Sequence, residues 1–494
     1  MAVFLAQIKW LYHEFGLKSL HDTGRDAWLI VLSRTTRMLA YGTTSLILAL
    51  FFSALEFSDT YIGLFMTLTL LGDVLLSVLL TLVADGVGRR RILFAGSTLM
   101  VLSGATFAYF ENFWVLLLAA VVGVISATGG DFGPFRAIEE STLSHLTTPK
   151  TRADVLAWYV TSASLGSSVG TELSGRIVDF LQRRDGWTLI DAYHAIFWMY
   201  SVMGILNMGL TLLLSGKCEA NKTTETEESG ILLNEMDDND ETNSTDENEQ
   251  NSLPTAKTAP QKPKTTNRLA QISRETRSIM YKLWFLLIID ALADGMVGYS
   301  LTVYYMDIKF PNLRKSTLGD ITSISYVLAA CSTVFAGPLA RRLGLINTMV
   351  FTHLPSSAAV LFFPLPPGLH LTVALFFLRT GLNNMDQAPR SAFIAAVVKP
   401  EERTAVMGIT SMLKTLAATA GPTVTGILAG HDRFWIAFVA AGALRISYDL
   451  GLWALFINVK LYQHEEGSDG GKLDRQSDPR SEGDEEGLRD IQTQ

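Results

Sequence analysis

Twelve apolar stretches, each long enough to cross a lipid bilayer, occupy most of this 494-residue chain. A helix needs about 20 predominantly apolar residues to span the hydrocarbon layer. Six stretches precede a long polar segment and six follow it, near residues 27–53, 61–83, 92–110, 114–139, 153–180, 193–215, 283–306, 318–340, 345–364, 369–392, 404–428 and 434–459. The sequence therefore predicts an all-α integral membrane protein with twelve transmembrane helices in two six-helix bundles.

The two halves repeat one arrangement of charges, prolines and glycines. Each half has an apolar run that closes on a charged segment with a proline, Asp131–Arg136 in the first half and Asp386–Arg390 in the second. Four later positions recur at a constant offset of 251 residues, with Pro149, Arg152, Gly170 and Gly175 matching Pro400, Arg403, Gly421 and Gly426. Internal repeats of this kind are typical of transporters, so we expect the bundles to be pseudo-symmetric.

The polar segments divide the chain further. Between the bundles, twelve acids lie from Glu219 to Glu249 and only Lys222 opposes them, a composition that buries too little apolar surface to fold alone. We predict a cytosolic N-terminal arm over 1–26, a first bundle over 27–215, a disordered acidic cytosolic linker over 216–282, a second bundle over 283–460 and a disordered acidic cytosolic tail over 461–494. Clusters such as Arg89–Arg91 set this orientation, because Lys and Arg are retained in the cytosol. We expect the plasma membrane rather than an internal membrane.

Charge and cysteine usage exclude several classes of protein. The net charge of −8 comes mostly from the linker and the tail, so it gives no case for nucleic acid. Cys218 and Cys331 lie far apart and supply neither a disulfide framework nor a thiolate metal site. We find no nucleotide-binding glycine loop or nucleophile motif, so we expect that the protein is not an enzyme and has no cofactor. We also expect it to be a monomer. Asp290 and Asp294 lie four residues apart in the seventh apolar stretch, and a site for a hard divalent cation is one alternative interpretation of these two carboxylates. We expect no His or Cys near them.

The link between the second and third apolar stretches, Leu82–Arg91, resembles the signature loop of the major facilitator superfamily. A degenerate copy, Gly337–Gly344, lies in the second half, with Thr81, Gly86 and Arg341 departing from the family pattern. The resemblance implies two six-helix bundles and a latch to which Asp85 and Arg89 belong. The gate motif that it implies consists of Asp85, Gly88, Arg89, Arg90, Arg342 and Gly344. The fifth helix has Thr171-Glu172 where drug-proton antiporters carry a Gly-Pro pair, so the chain diverges from that branch.

Ionisable residues inside the predicted spans mark a candidate transport path, because each costs about 2.5–3.5 kcal/mol at a helix centre. The predicted solute and proton pathway consists of Arg37, Asp73, Asp131, Glu172, Asp294, Arg379 and Asp386. Structural pairing within one helix is the competing interpretation, with Arg445 expected to pair with Asp449 and Glu172 with Arg176. Arg136, Glu139 and Glu140 lie close to the cytosolic end, where snorkelling or salt bridges of a gate are the alternatives to solute contact.

These features favour one functional hypothesis over two others. We expect a secondary active transporter that moves a small polar or amphipathic solute by alternating access, with protons as the coupling ion. A buried carboxylate away from its counter-charge can exchange a proton near neutral pH. The partners are then the small-molecule solute, protons and the bilayer. The alternatives are a non-coupled facilitator and a transport-fold receptor that signals through its linker.

Overall fold

The computed structural model describes residues 17–123, 125, 134–148, 151–219, 274–398 and 402–457, and every regular element among them is helical. In the first half the helices are α1 (Leu17–Thr23), α2 (Arg25–Ala54), α3 (Asp59–Val87), α4 (Arg89–Tyr109), α5 (Phe113–Gly123), α6 (Pro134–Leu146), α7 (Arg152–Gln182) and α8 (Leu189–Leu212). In the second half they are α9 (Arg274–Met296), α10 (Tyr299–Lys309), α11 (Lys315–Leu343), α12 (Leu345–Phe362), α13 (Leu369–Asn383), α14 (Gln387–Val397), α15 (Arg403–Ala429) and α16 (Phe434–Phe456).

Two breaks interrupt second-half spans that the sequence predicts as continuous. Helices α9 and α10 are bent by 44° at Val297 and Gly298. Helix α13 ends in a 3₁₀ turn, Asn384–Asp386, before α14 begins. Pro389 explains the second break, because it has no backbone N–H to donate inside a helix but is tolerated in a first turn. Both breaks leave backbone groups in the interior for side chains to satisfy.

Six of the described helices are long and apolar enough to span a membrane, namely α2, α4, α8, α12, α16 and the Asp59–Leu76 part of α3. The bent pair α9 and α10 makes a seventh if it is one span. Helices α7, α11 and α15 have 31, 29 and 27 residues, so their length also suffices. They are less apolar because charged and hydroxyl side chains interrupt them.

The chain forms two compact units, each described here by itself. The first comprises Met1–Thr44, Gly72–Gly170 and Asp191–Asn267, and the second comprises Ser45–Leu71, Thr171–Ile190 and Arg268–Gln494. The second unit therefore contains the ends of α2, α3 and α7 together with the helices of the second half. The predicted boundaries at 27–215 and 283–460 stay predictions.

Glycines allow close contacts between helices within each unit. In the first unit a Cβ on Gly166 of α7 would lie 2.5 Å from the Thr35 carbonyl oxygen of α2. In the second unit a Cβ on Gly426 of α15 would lie 2.9 Å from the Cα atom of Gly63 on α3. Small residues let helix backbones approach in membranes, so these glycines lie at close contacts between helices.

Each unit also has an apolar cluster that fixes its helices. In the first unit Leu20 of α1, Ile92 of α4 and Cys218 share one cluster. In the second unit Trp284 of α9, Phe393 of α14 and Tyr448 of α16 share another. Each cluster thus brings residues of several helices of its unit into one apolar contact.

Candidate functional site

In the first unit, Arg37 of α2 and Glu139 of α6 form a buried ion pair. Two guanidinium nitrogens of Arg37 donate to the two carboxylate oxygens of Glu139 at 2.8 and 2.6 Å, and each side chain is 1% exposed. Tyr159 donates its hydroxyl to Glu139 at 2.8 Å, and Arg34 donates to Tyr159 at 2.6 Å. Glu139, expected at a cytosolic gate, is therefore the partner of the predicted pathway residue Arg37.

Asp73 of α3, another predicted pathway residue, is buried in the same unit. It lies close enough to the Tyr200 hydroxyl to act on it electrostatically, as does Arg37. Tyr200 in turn stacks on Tyr41 of α2. The first unit thus has an interior where acidic, basic and phenolic groups meet. Asp131 and the side chain of Asp85 lie outside the described residues.

The second unit holds a larger set of ionisable side chains, here called the second-half network. Its members come from seven elements: Asp290 and Asp294 of α9, His353 of α12, Asn383 of α13, Asp386 of the 3₁₀ turn, Arg390 of α14, Lys414 of α15, and Arg445, Tyr448 and Asp449 of α16. Charged groups this deep face one another because lipid would not solvate them.

Arg445 is the centre of this network. It is fully buried and pairs with the Asp294 carboxylate, which is 40% exposed. It also donates to the side-chain oxygen of Asn383 and to His353 Nε2, the latter at 2.8 Å. The expected pairing of Arg445 with Asp449 is wrong, because Arg445 reaches α9 while Asp449 faces α12.

His353 connects Arg445 to two carboxylates. Its Nδ1 lies 2.7 Å from Asp449 Oδ1, and its Nε2 lies 3.7 Å from Asp290 Oδ1. The Ser357 hydroxyl donates to Asp449 at 2.8 Å, and the Tyr448 ring lies edge-on to the imidazole at 5.6 Å between ring centres. The expectation that no histidine lies near Asp290 is therefore wrong. Helix α12 crosses α9 and α16 at this level, and a single sequence does not reveal such crossings.

Arg390 completes the network on the side of α14. It pairs with Asp386, one turn earlier, and its Nη1 lies 3.4 Å from Asp290 Oδ2. Both carboxylates keep a second oxygen that is buried and makes no hydrogen bond within the described chain. The Tyr448 hydroxyl is in the same situation. Buried polar atoms of this kind are positions for water or a polar ligand.

Lys414 faces these carboxylates from α15 without a direct ion pair among the described residues. It is half-buried, and Asp290, Asp386 and Asp294 act on its amine electrostatically. Sequence analysis missed this lysine, although its place in the middle of an apolar run was the available signal. Its position adds a cation to the carboxylates of the network.

Arg379, a predicted pathway residue of α13, binds the break between α9 and α10. It is buried and donates to the Val297 carbonyl oxygen and, at 3.0 Å, to the Thr302 hydroxyl. No carboxylate of the described chain lies within 4 Å of its guanidinium. Arg379 therefore stabilises the carbonyl that the break leaves without a helical partner.

Glu172 has a different environment from the other predicted pathway residues. It pairs with Arg176 one turn along α7, and Arg176 reaches Asp320 of α11 at 3.0 Å. Arg176 is 61% exposed. The pairing within the helix is confirmed. An exposed pair of this kind contributes at most about 1 kcal/mol.

The gate motif has matching turns in the two halves. Gly88 and Gly344 precede α4 and α12 with φ angles of 104° and 85°, a region that favours glycine. The backbone N–H groups of Arg89 and Arg90 donate to the Glu219 carboxylate at 2.8 and 3.4 Å. Arg342 is exposed. Both glycines therefore lie at tight turns between consecutive helices.

Within the second unit, two sets of hydrogen bonds join a helix of the first half of the chain to a helix of the second half, and they are here called the cross-half contacts. Asp179 of α7 accepts from the backbone N–H groups of Lys315 and Ser316 at the start of α11, both at 3.1 Å. Thr67 of α3 and Thr423 of α15 share a hydrogen bond of 2.7 Å. These contacts are made by polar groups and not by apolar packing.

A metal site has no support from the described residues. No group of three His, Cys, Asp or Glu side chains among them is arranged to hold an ion. Asp290 faces Arg390 and Asp294 faces Arg445 instead.

Comparisons with known proteins identify the family. The model of the Major Facilitator Superfamily matches residues 30–311 and 283–481. An uncharacterised membrane protein of Saccharomyces cerevisiae, YJR124C, is 33% identical over 441 residues, which is 88% of this chain and 95% of that protein.

Solved structures show the same fold. The nucleoside transporter NupG aligns with a TM-score of 0.64 and 13% identity, covering 88% of this chain and all of the other. A D-xylose-proton symporter aligns with a TM-score of 0.62 and 14% identity, covering 87% and 98%. These neighbours have twelve helices, so the predicted fold class is confirmed. The chain is an integral membrane protein and belongs to the major facilitator superfamily, a family of membrane transporters.

Proposed function

We propose that this protein is a secondary active transporter that moves a small polar or amphipathic solute by alternating access and couples the movement to protons. The observation that carries the coupling is the position of His353 between Arg445 and the carboxylates of Asp449 and Asp290. We expect it to act as a monomer in the plasma membrane.

The groups around His353 define its protonation state in this arrangement. Arg445 has only N–H donors, so His353 Nε2 must accept the hydrogen bond between them. The imidazole proton then lies on Nδ1 and is donated to Asp449. His353 is therefore neutral while Arg445 holds it.

A second proton on His353 would reverse this contact. Nε2–H would face the N–H groups of Arg445, and two donors repel. The nearest carboxylate on that side is Asp290, whose Oδ1 is buried and makes no hydrogen bond in the described chain. We infer that protonation moves His353 Nε2 towards Asp290 and breaks its contact with Arg445. Arg445 then interacts with Asp294 and Asn383 alone. Because Asp294 is 40% exposed, the proton state reaches a carboxylate that a solute can approach.

The polar atoms near His353 support a small polar solute. The second oxygens of Asp290 and Asp386 and the Tyr448 hydroxyl are buried without hydrogen bonds among the described residues, and Lys414 supplies a further donor. A nucleoside transporter and a D-xylose-proton symporter, both of similar fold, also support a small polar solute, and the symporter supports protons. The cross-half contacts support alternating access, since such polar contacts can open and close.

Transport in proteoliposomes tests this function. The full-length protein is reconstituted and offered labelled pentoses, nucleosides and amphipathic amines, with and without an imposed pH gradient. The proposal predicts saturable uptake or efflux that the gradient accelerates. Saturable flux that ignores the gradient indicates a facilitator, and the absence of flux for the whole panel supports a receptor.

A further inference from the structure

The beginning of the acidic linker is docked on the gate motif. The Glu219 carboxylate accepts the backbone N–H groups of Arg89 and Arg90, which are the first two residues of α4. The first amides of any helix lack partners within the helix. Gly88, at the N-cap position, has no side chain to supply one. The cap of α4 therefore comes from a residue 130 positions later in the chain.

Further contacts fix the linker root, defined as residues 215–219. The Ser215 backbone N–H donates to Asp26 Oδ1 of α2 at 3.0 Å, and its hydroxyl also binds Asp26. Cys218 is 1% exposed and packs in the apolar cluster of the first unit with Leu20 and Ile92. The linker root is thus held by hydrogen bonds and by apolar burial.

We propose that the linker root is a regulatory segment whose docking through Glu219 keeps the gate motif in the conformation of this structure. A carboxylate on the amides of Arg89 and Arg90 excludes any other anion from them. Because these amides follow Gly88 directly, the docked linker root fixes the start of α4 at the turn of the gate motif. The proposal relies on alternating access but not on the solute or on protons.

The natural cysteines allow a direct test of docking. Cys331→Ser leaves Cys218 as the single thiol of the full-length chain. Burial raises the pKa of Cys218 to about 12, so its thiolate is scarce at pH 7 and its reaction with N-ethylmaleimide is slow. Glu219→Ala should raise the labelling rate at least about tenfold by undocking the root. Glu225→Ala, at the next acid of the linker, is the matched control and should leave the rate unchanged.

A disulfide across the contact of α3 with α15, here called the gate, reports whether docking at Gly88, just after α3, influences a contact between the two halves. Thr67→Cys with Thr423→Cys, in a chain with Cys218→Ser and Cys331→Ser, replaces two hydroxyls that lie 2.7 Å apart. Oxidation should cross-link this pair efficiently. Adding Glu219→Ala should lower the yield about threefold, a size typical of losing a helix cap, whereas Glu225→Ala should not.

Two outcomes overturn the proposal. If Cys218 stays unreactive in Glu219→Ala, Glu219 does not hold the root. If Cys218 becomes reactive while the cross-linking yield stays at the level of the control, docking exists but does not influence the gate. Both measurements are made without a solute, so neither outcome depends on whether transport is proton-coupled.

Discussion

Arg445 pairs with Asp294 on a different helix, although Asp449 lies only one turn further along its own helix. The consequence is that Asp449 is left to His353, and that His353 lies between a cation and two carboxylates. One arginine thereby connects α9, α12, α13 and α16. The proton-coupling proposal depends on this pairing of Arg445 with Asp294 and of Asp449 with His353.

Removing Arg445 should destabilise the protein strongly. Arg445→Gln leaves Asp294, Asn383 and His353 without their shared donor, and because Asp294 is partly exposed we expect a loss of about 1.5–3 kcal/mol, as for hydrogen bonds to a charged group. Thermal unfolding of the detergent-solubilised protein measures the loss. Arg433→Gln, at the exposed start of α16, is the matched control and should change stability by less than about 0.5 kcal/mol. Equal melting temperatures for the two variants would contradict the central position of Arg445.

Substitution of two adjacent glutamates of α6 should also destabilise the protein to different extents. Glu139→Ala leaves the buried Arg37 without its carboxylate and should cost about 3–5 kcal/mol. Glu140→Ala removes an exposed pair with Arg136 and should cost at most about 1 kcal/mol. Thermal unfolding of both variants measures the two losses of stability. A larger loss of stability for Glu140→Ala would refute the assignment of Glu139 as the partner of Arg37.

Alanine variants of the two glycines of the gate motif distinguish the effect of backbone strain from the effect of linker docking. Gly88→Ala and Gly344→Ala should each cost about 1–2 kcal/mol, because both positions have positive φ. A Cβ at Gly88 would also lie 3.0 Å from Glu219 Oε2, whereas nothing lies within 4 Å of one at Gly344. Cys218 labelling should therefore rise in Gly88→Ala and stay low in Gly344→Ala. A rise in both variants would mean that strain alone releases the linker root.

Arg379 should affect solute binding through the break between α9 and α10. Arg379→Ala removes the donors to the Val297 carbonyl and Thr302, so the break loses its defined geometry. We expect a KM for the transported solute raised about tenfold or more, as for the loss of a charged hydrogen bond. Arg314→Ala, at the start of α11, serves as the comparison. An unchanged KM in Arg379→Ala would leave Arg379 with a structural role only.

The sequence predicts features that depend on one helix or on helix length. The apolar runs, the turn at Gly88 and the pair Glu172 and Arg176 are of this kind, because helical periodicity defines neighbours one turn apart. Partners on different helices depend on how the helices cross. For this reason the pairs of Arg37 with Glu139 and of Arg445 with Asp294 were not predictable, and His353 was placed away from Asp290. The break at Val297 also escaped detection, because the apolar run continues through it.

The most direct test of proton coupling is proton movement driven by the solute itself. Proteoliposomes with a pH-sensitive dye in the lumen are given a solute gradient but no pH gradient, using the solute that the panel identifies. The account predicts that solute flux changes the luminal pH in the wild type and in His370→Gln, whose histidine is exposed in the same half. In His353→Gln the solute should still bind, but the pH change should disappear. Solute flux in the wild type without any change of luminal pH would contradict the account.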